Sequence, residues 1–340
     1  MEPKTTQPHL NTPFPHVTQD EAGLRLDRWF KRHFPVLSHG QLQKMLRTGQ
    51  IRVDGKRADS AFRLEEGQIL RLPPALTKGD YASARPEPAD GKRPLRNPDK
   101  LKGMILYQDE DVVAINKPAG LAVQGGTGLK ENLDDSLMAL SLDGVTRPKL
   151  VHRLDRDTSG VLLIARNDYA AMKLSASFRA RSTQKIYWAA TVGVPSPNEG
   201  RIDAPLVKNG QLMTIAEEDD EEAKSAATLY RVVESIPKKM AFVALWPLTG
   251  RTHQLRVHLA HLGTPIWKDR LYGIINEEEE PSGLTSMNLG DGLHLHARRL
   301  IIPHPRKGVI DVTAPLSASM KKTWRCFGFS EKAVVDFDDL

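Results

Sequence analysis

Val151-His152-Arg153-Leu154-Asp155-Arg156-Asp157-Thr158-Ser159-Gly160-Val161-Leu162-Leu163-Ile164-Ala165 joins the densest run of polar side chains in the chain to an unbroken apolar one. The apolar half, opened by Ser-Gly and closed by Arg166, has the length and composition of a buried strand. A charged loop that leads into such a strand is held rigidly at one end. A catalytic carboxylate needs that, because positioning supplies much of a rate enhancement. The alternative reading is a salt-bridged turn in which Asp155 and Asp157 bind Arg153 and Arg156.

Outward from this segment, strands are expected at 104–107, 112–116, 161–165, 186–192, 227–233 and 242–246, and helices at 169–179 and 252–262, the latter ended by Gly263. Strands outnumber helices and do not alternate strictly with them. The class is therefore α+β, with a mixed, mainly antiparallel sheet and flanking helices rather than a doubly wound parallel one. Acidic runs at 217–222 and 277–280 read as solvated loops.

A second polar segment, Leu248-Thr249-Gly250-Arg251-Thr252-His253-Gln254-Leu255-Arg256-Val257-His258, opens the last of these helices. Thr252 is placed to cap it, and Leu255, Leu259 and Leu262 form its apolar stripe. Arg256 therefore lies beside the buried face, where an arginine is costly unless paired, best with a bidentate carboxylate. His253 and His258 do not share a helical face, which argues against a zinc pair. Other motifs fail: Gln124-Gly125-Gly126-Thr127-Gly128 lacks the Gly-Lys-Ser/Thr ending of a P-loop, no Gly-x-Gly-x-x-Gly follows a strand, and no kinase magnesium loop follows Asp155.

The chain has 340 residues with 40% apolar content, enough for two domains and at least one sizeable core. No run of sequence is long and apolar enough to span a bilayer, and the start lacks the features of a signal peptide. The single cysteine, Cys326, rules out an internal disulfide and zinc sites built on cysteine pairs. A cytoplasmic protein with no membrane association is expected. Net charge is +6, and residues 1–102 hold 19 basic and 12 acidic side chains, so the excess lies at the N-terminal end. A polyanion met by that end is the simplest reading, and an ordinary solvated surface is the other.

Residues 1–20 read as a disordered arm, without an apolar period. From Leu24 onward, Leu24, Leu26, Trp29, Phe30 and Phe34 recur at helical spacing with Arg25, Arg28, Lys31 and Arg32 between them, and Pro35 stops the helix. Ser38 is suited to cap a second helix with Leu42, Met45 and Leu46 inward and Lys44 and Arg47 outward, and Gly49 to end it. Ile51-Arg52-Val53, an Asp54-Gly55 turn and a strand at 68–72 complete a compact module. The segment Leu24-Arg25-Leu26-Asp27-Arg28 through Arg52-Val53-Asp54-Gly55 resembles an S4 domain, an RNA-binding module. It departs from that pattern at Ser38-His39-Gly40, where Ser-Arg is common, and at Gly67-Gln68, where Gly-Asp is common. Residues 21–75 are thus an S4-like RNA-binding domain, 76–102 a linker and 103–330 a catalytic domain.

From Leu24 to about Ala314 the chain resembles the pseudouridine synthases, and within them the branch that acts on large-subunit ribosomal RNA. The resemblance rests on His152-Arg153-Leu154-Asp155-Arg156-Asp157-Thr158-Ser159-Gly160, on Lys185-Ile186-Tyr187, on Gly250 to His258, on the stretch from Asp269 to Gly273 with its Tyr-Gly ending, and on Asn116-Lys117-Pro118-Ala119-Gly120. Arg166 stands where the family often has lysine.

The resemblance implies isomerisation of uridine in RNA without cofactor or metal: the glycosidic bond breaks, the uracil turns, and the sugar is rejoined through carbon 5. It makes Asp155 the essential carboxylate, suited either to attack the sugar or to accept a sugar proton. Arg256 becomes its partner, and Tyr187 the ring against the base. Arg153 becomes the residue that enters the space left by the flipped nucleotide, with a simple phosphate contact as its other reading. Arg156, Lys185, Arg25, Arg28, Lys44 and Arg47 are expected to contact RNA, and the protein to act as a monomer. The competing classes are a non-catalytic RNA-binding or ribosome-assembly factor, a synthase acting on transfer RNA, and a metal-dependent nuclease using His253 and His258.

Overall fold

The computed structural model describes residues 14–34, 37–77, 98–125, 131–180, 182–210, 212–217, 219–273, 283–284 and 286–337. The chain divides into two compact units, residues 1–91 and 92–340. Pro35, most of the expected linker, the end of the Gly-rich run after Gly125 and the acidic run at 277–280 lie outside the described residues. Among the described residues no helix is long and apolar enough to cross a membrane.

In the first unit, α1 (Leu26–His33) buries Leu26, Trp29 and Phe30, and α2 (His39–Arg47) buries Leu42 and Leu46. Ser38 caps α2 as expected: its hydroxyl accepts from the Gln41 amide at 3.3 Å, and the Gln41 side chain accepts in return from the Ser38 amide at 3.0 Å. β1 (Arg52–Val53) pairs antiparallel with β2 (Leu70–Arg71). Asp54 and Gly55 both take positive φ, 48° and 74°, and Asp54 uses its side chain to accept from the Ile69 amide at 2.8 Å. The core of this unit extends further than the sequence reading placed it. Val17 is buried and its amide donates to the Gln68 carbonyl, so packing starts before residue 20, and Leu76 of α3 (Pro74–Thr77) is buried in the same core. Arg28, Lys31, Lys44 and Arg47 are exposed, and Arg25 pairs with Asp27 at 2.7 Å on the surface.

The second unit opens with α4 (Pro98–Lys102), whose Leu101 is fully buried, and is built on β3 (Ile105–Gln108), β4 (Val112–Lys117), β5 (Lys149–Leu150), β6 (Ser159–Ala165), β7 (Gln184–Val192), β8 (Glu199–Asp203), β9 (Leu206–Asn209), β10 (Leu212–Ile215), β11 (Ala227–Ile236), β12 (Met240–Pro247), β13 (Leu295–Pro303) and β14 (Val309–Thr313). Ten of these form one sheet in the order β3-β4-β6-β13-β7-β12-β11-β8, with β14 on β13 and β5 on β6, while β9 and β10 form a separate hairpin. The β6–β13 pair is parallel and the other pairings are antiparallel. This is the mixed, mainly antiparallel sheet expected from the sequence. β6 is buried along its whole length. Leu162 and Ile164 face Leu133 and Leu137, while Val161 and Leu163 face Ala170 and Leu174 of α5 (Asp168–Arg179). Both faces are covered, which is why its sequence is a continuous apolar run rather than an alternating one.

Two further helices complete the unit, α6 (Gln254–His261) and α7 (Ala318–Phe327). Thr252 does not cap α6. His253 precedes the helix in the left-handed region at φ 52°, and the Gln254 side chain occupies the turn, accepting from the Arg251 amide at 3.0 Å and the Thr249 hydroxyl at 2.7 Å. Phe329 is buried against Trp324 and Phe337 against Trp246 in one core, which therefore runs past residue 330.

Gly160 is the glycine on which the junction between loop and strand depends. Its φ is 110°, and a Cβ there would sit 2.2 Å from the Ala297 carbonyl oxygen of β13. Gly160→Ala is expected to cost about 3 kcal/mol or more, because backbone on both sides prevents relief. Thermal unfolding of the variant measures this, and an unchanged melting temperature would contradict it.

Candidate active site

The loop between β5 and β6 carries Asp155 in the lining of a cleft of about 780 Å³, to which β7, β12 and the turn before α6 also contribute. Both Leu154 and Asp155 line the cleft, Leu154 buried in the core and Asp155 partly open to water. Three hydrogen bonds hold the loop. The Thr158 amide donates to the Asp155 carbonyl at 3.2 Å, and the Gly120 amide and Lys117 Nζ both donate to the Arg156 carbonyl at 2.9 Å.

Lys117 is a residue whose part in the site sequence reading missed. It is fully buried, and its ammonium donates to the carbonyls of Pro118, Leu121 and Arg156, each at 2.9 Å. Burial lowers its pKa to about 7, against the pull of Asp157 and Asp155. Three acceptors match the three donors of the protonated form. Lys117 thus ties the end of β4 to the Asp155 loop from below. His152, also missed, is structural: Nε2 accepts from the Leu163 amide at 2.7 Å, the ring stacks on Phe178 at 4.6 Å, and burial, with Lys185 nearby, pushes it down to about 3.

Arg256 is buried beside the apolar stripe of α6, as its spacing implied, but its bidentate partner is Asp269, not Asp155. Nε and Nη2 donate to the two Asp269 oxygens at 2.7 and 2.6 Å. Asp155 Oδ2 lies 3.9 Å from Arg256 Nη1, an ion pair without a hydrogen bond. The reason is geometric: Asp269 is fixed in a turn where its Oδ1 also accepts from the Leu271 and Tyr272 amides, at 2.9 and 3.2 Å. One edge of the guanidinium is anchored there, and the remaining nitrogen is presented to the cleft. Burial lowers the Arg256 pKa, but Asp269 and then Asp155 raise it further, and the balance is upward. The Tyr-Gly ending has a reason too, since a Cβ on Gly273 would fall 2.2 Å from the Asp269 carbonyl oxygen.

Tyr187 on β7 lines the same cleft, half-buried. Burial first and the Asp155 charge second raise its pKa, so it is a phenol at neutral pH. Arg153 and Lys185 also line the cleft, and Arg153 is exposed. Arg156 points elsewhere and meets Asp157 at 3.1 Å on the surface, so the salt-bridged-turn reading holds for that pair and not for Asp155. His253 and His258 do not converge: the His258 ring contacts the Thr228 hydroxyl at 2.9 Å and the Ala204 carbonyl at 3.0 Å. Among the described residues no group of three or more His, Cys, Asp or Glu side chains is arranged to hold a metal ion.

One carboxylate set among arginines and a lysine, beside a phenol and inside a concave site, is suited to hold a nucleotide by its phosphates and to act on its sugar. Residues 111–261 match the RNA pseudouridylate synthase family, and residues 24–70 match the S4 domain. The chain belongs to the pseudouridine synthases, enzymes that isomerise uridine in RNA, and carries an S4 RNA-binding domain. Among its curated relatives, the "Ribosomal large subunit pseudouridine synthase C" of Vibrio vulnificus (strain CMCP6) is 34% identical over 90% of this chain and 93% of the relative. The protein of the same name from Escherichia coli (strain K12) is 35% identical over 90% and 93%. Of solved structures, "Human RNA Pseudouridylate Synthase Domain Containing 4" aligns with a TM-score of 0.57 at 32% identity, covering 68% of this chain and 95% of that one.

Proposed function

We propose that this enzyme converts uridines of large-subunit ribosomal RNA to pseudouridine in the cleft around Asp155. The observation that carries the site is the position of Asp155, on a loop clamped from below by Lys117 and facing the one Arg256 nitrogen that Asp269 leaves available. The names of the relatives support the choice of RNA. Asp155 acts on the sugar as nucleophile or base, and both roles need the carboxylate aimed, which the Arg256 charge 3.9 Å away favours. Tyr187 places its ring against the uracil as a neutral phenol, while Arg153 and Lys185 at the cleft hold the nucleotide and its phosphates. The test is a nucleotide-resolution pseudouridine map of ribosomal and transfer RNA from a strain lacking the protein, complemented by the wild type or by Asp155→Asn. Loss at large-subunit positions, restored only by the wild type, is the expected result. Loss confined to transfer RNA would overturn the choice of substrate.

The exposed cations of the S4 domain supply the sequence-independent part of binding. Arg28, Lys44 and Arg47 are exposed on α1 and α2, and Arg25, also exposed, stands at the start of α1. Replacing Arg28, Lys44 and Arg47 by Gln should weaken RNA binding and flatten its salt dependence, by roughly 0.7 to 0.9 in the slope of log affinity against log salt for each phosphate that is no longer neutralised. Affinity measured from low to moderate salt tests this. Parallel lines for wild type and variant would mean that this face does not touch RNA.

A further inference from the structure

His253 lies against the catalytic carboxylate, yet no step above uses it. Its backbone is left-handed, at φ 52° and ψ 15°, immediately before α6. Its Nε2 is 4.0 Å from Asp155 Oδ2, and its Nδ1 is 2.8 Å from the Tyr272 hydroxyl. The Tyr272 ring stands edge-on to His253, with centroids 5.6 Å apart, and lies under the Arg256 guanidinium at 5.0 Å. The Tyr272 oxygen is engaged from its other side, where the backbone amide of Met213, in the β9–β10 hairpin, donates to it at 3.0 Å.

The direction of each proton follows from these contacts. The Met213 amide can only donate, so the Tyr272 oxygen accepts there and its own proton is free to go to His253 Nδ1. Burial holds Tyr272 above its ordinary pKa, so that proton is present at neutral pH. With Nδ1 accepting, a neutral imidazole carries its hydrogen on Nε2, the nitrogen that faces Asp155. The charged groups that act on the ring are Asp155 and Asp269, which favour protonation, and Arg256 and Arg153, which oppose it. Burial is the largest influence and the balance is downward, so the ring is neutral near pH 7 and its tautomer matters.

We propose that His253 is a positioning residue for Asp155, its Nε2–H turned toward the carboxylate by a relay from the Met213 amide through the Tyr272 hydroxyl. The inference rests on the reading of Asp155 as the essential carboxylate. A donor held about 4 Å away steers the carboxylate and closes to a hydrogen bond with a small movement when substrate enters, as contacts around reacting groups commonly do. The opposite tautomer would turn a lone pair toward the carboxylate and repel it, the kind of misorientation that slows a histidine-dependent site.

Tyr272→Phe removes the hydroxyl and keeps the ring under Arg256. Its single-turnover rate on RNA should fall about tenfold near pH 8 with affinity for RNA unchanged, because the imidazole is then free to adopt either tautomer. Near pH 6 the deficit should shrink to about threefold, since Nδ1, relieved of its donor, protonates more readily and the imidazolium carries hydrogen on both nitrogens. His253→Asn tolerates the left-handed backbone but has no donor at the Nε2 position. Its deficit should not depend on pH, and adding Tyr272→Phe to it should have no further effect. In the wild type, imidazole nitrogen-15 shifts read the tautomer directly, and Nε2–H is expected. A deficit of Tyr272→Phe that is flat with pH, additive effects of the two substitutions, or an Nδ1–H ring would each overturn the proposal. If Asp155→Asn is inactive while Tyr272→Phe follows the wild type at every pH, the relay alone fails. If Asp155→Asn is active, the reading of the site fails with it.

Discussion

Asp155→Asn is expected to lower pseudouridine formation by at least about a thousandfold while leaving the protein folded and bound to RNA. The amide nearly matches the carboxylate in shape, but at neutral pH it is neither a nucleophile nor a base. Stability should change by no more than about 1 kcal/mol, because the contacts of Asp155 with Arg256 and His253, at 3.9 and 4.0 Å, are longer than hydrogen bonds and the side chain is partly open to water. Arg256 also keeps its bidentate partner in this variant. Single-turnover assays on a ribosomal RNA fragment, with melting temperature and RNA affinity measured alongside, separate chemistry from folding. Turnover within tenfold of the wild type would contradict the assignment.

Arg256→Met is expected to fail in two ways at once. The Asp269 side chain is inaccessible to solvent, so removing its cation leaves an uncompensated buried charge. A cost of about 3 to 5 kcal/mol follows, a drop of roughly 10 °C in melting temperature for a domain of this size. Asp155 loses the cation that faces it, and the rate should fall with it. Adding Asp269→Asn removes the buried charge and keeps an oxygen for the Leu271 and Tyr272 amides, so the double variant should regain much of the lost stability and none of the activity. A single variant as stable as the wild type would mean that the Arg256–Asp269 pair contributes nothing to the fold. Recovery of activity in the double variant would mean that Arg256 does not act on Asp155.

Local order along the chain was enough to find the helices of the S4 domain, the buried β6 and the motifs that form the cleft. Periodicity placed Trp29 and Phe30 inward and Arg28, Lys44 and Arg47 outward, because an amphipathic helix encodes its buried face every three to four residues. Ser38 and Gln41 encode their own capping box within four residues. The same spacing showed that Arg256 must find a carboxylate. Other strands were less legible: β8, β9 and β10 are short and carry no strong alternation, β13 interrupts its apolar residues with His296, Arg298 and Arg299, and they form because the rest of the sheet and α6 offer them partners.

The α+β class, the two-domain order, the motif in which Asp155 stands and the demand for a partner at Arg256 are all legible in the linear chain. Which carboxylate meets that demand depends on the folded chain. Asp155 and Asp269 lie 101 and 13 residues from Arg256, and nothing in local spacing ranks one above the other. The turn that aims Asp269 at two backbone amides also aims it at the guanidinium, so Asp269 takes the hydrogen bonds and Asp155 is left with the charge. Lys117 and His253 acquire their places in the same way. Their contacts run to Arg156, Tyr272 and Asp155, brought near by sheet order and by the turn before α6, and such long-range contacts leave no periodic trace in a chain.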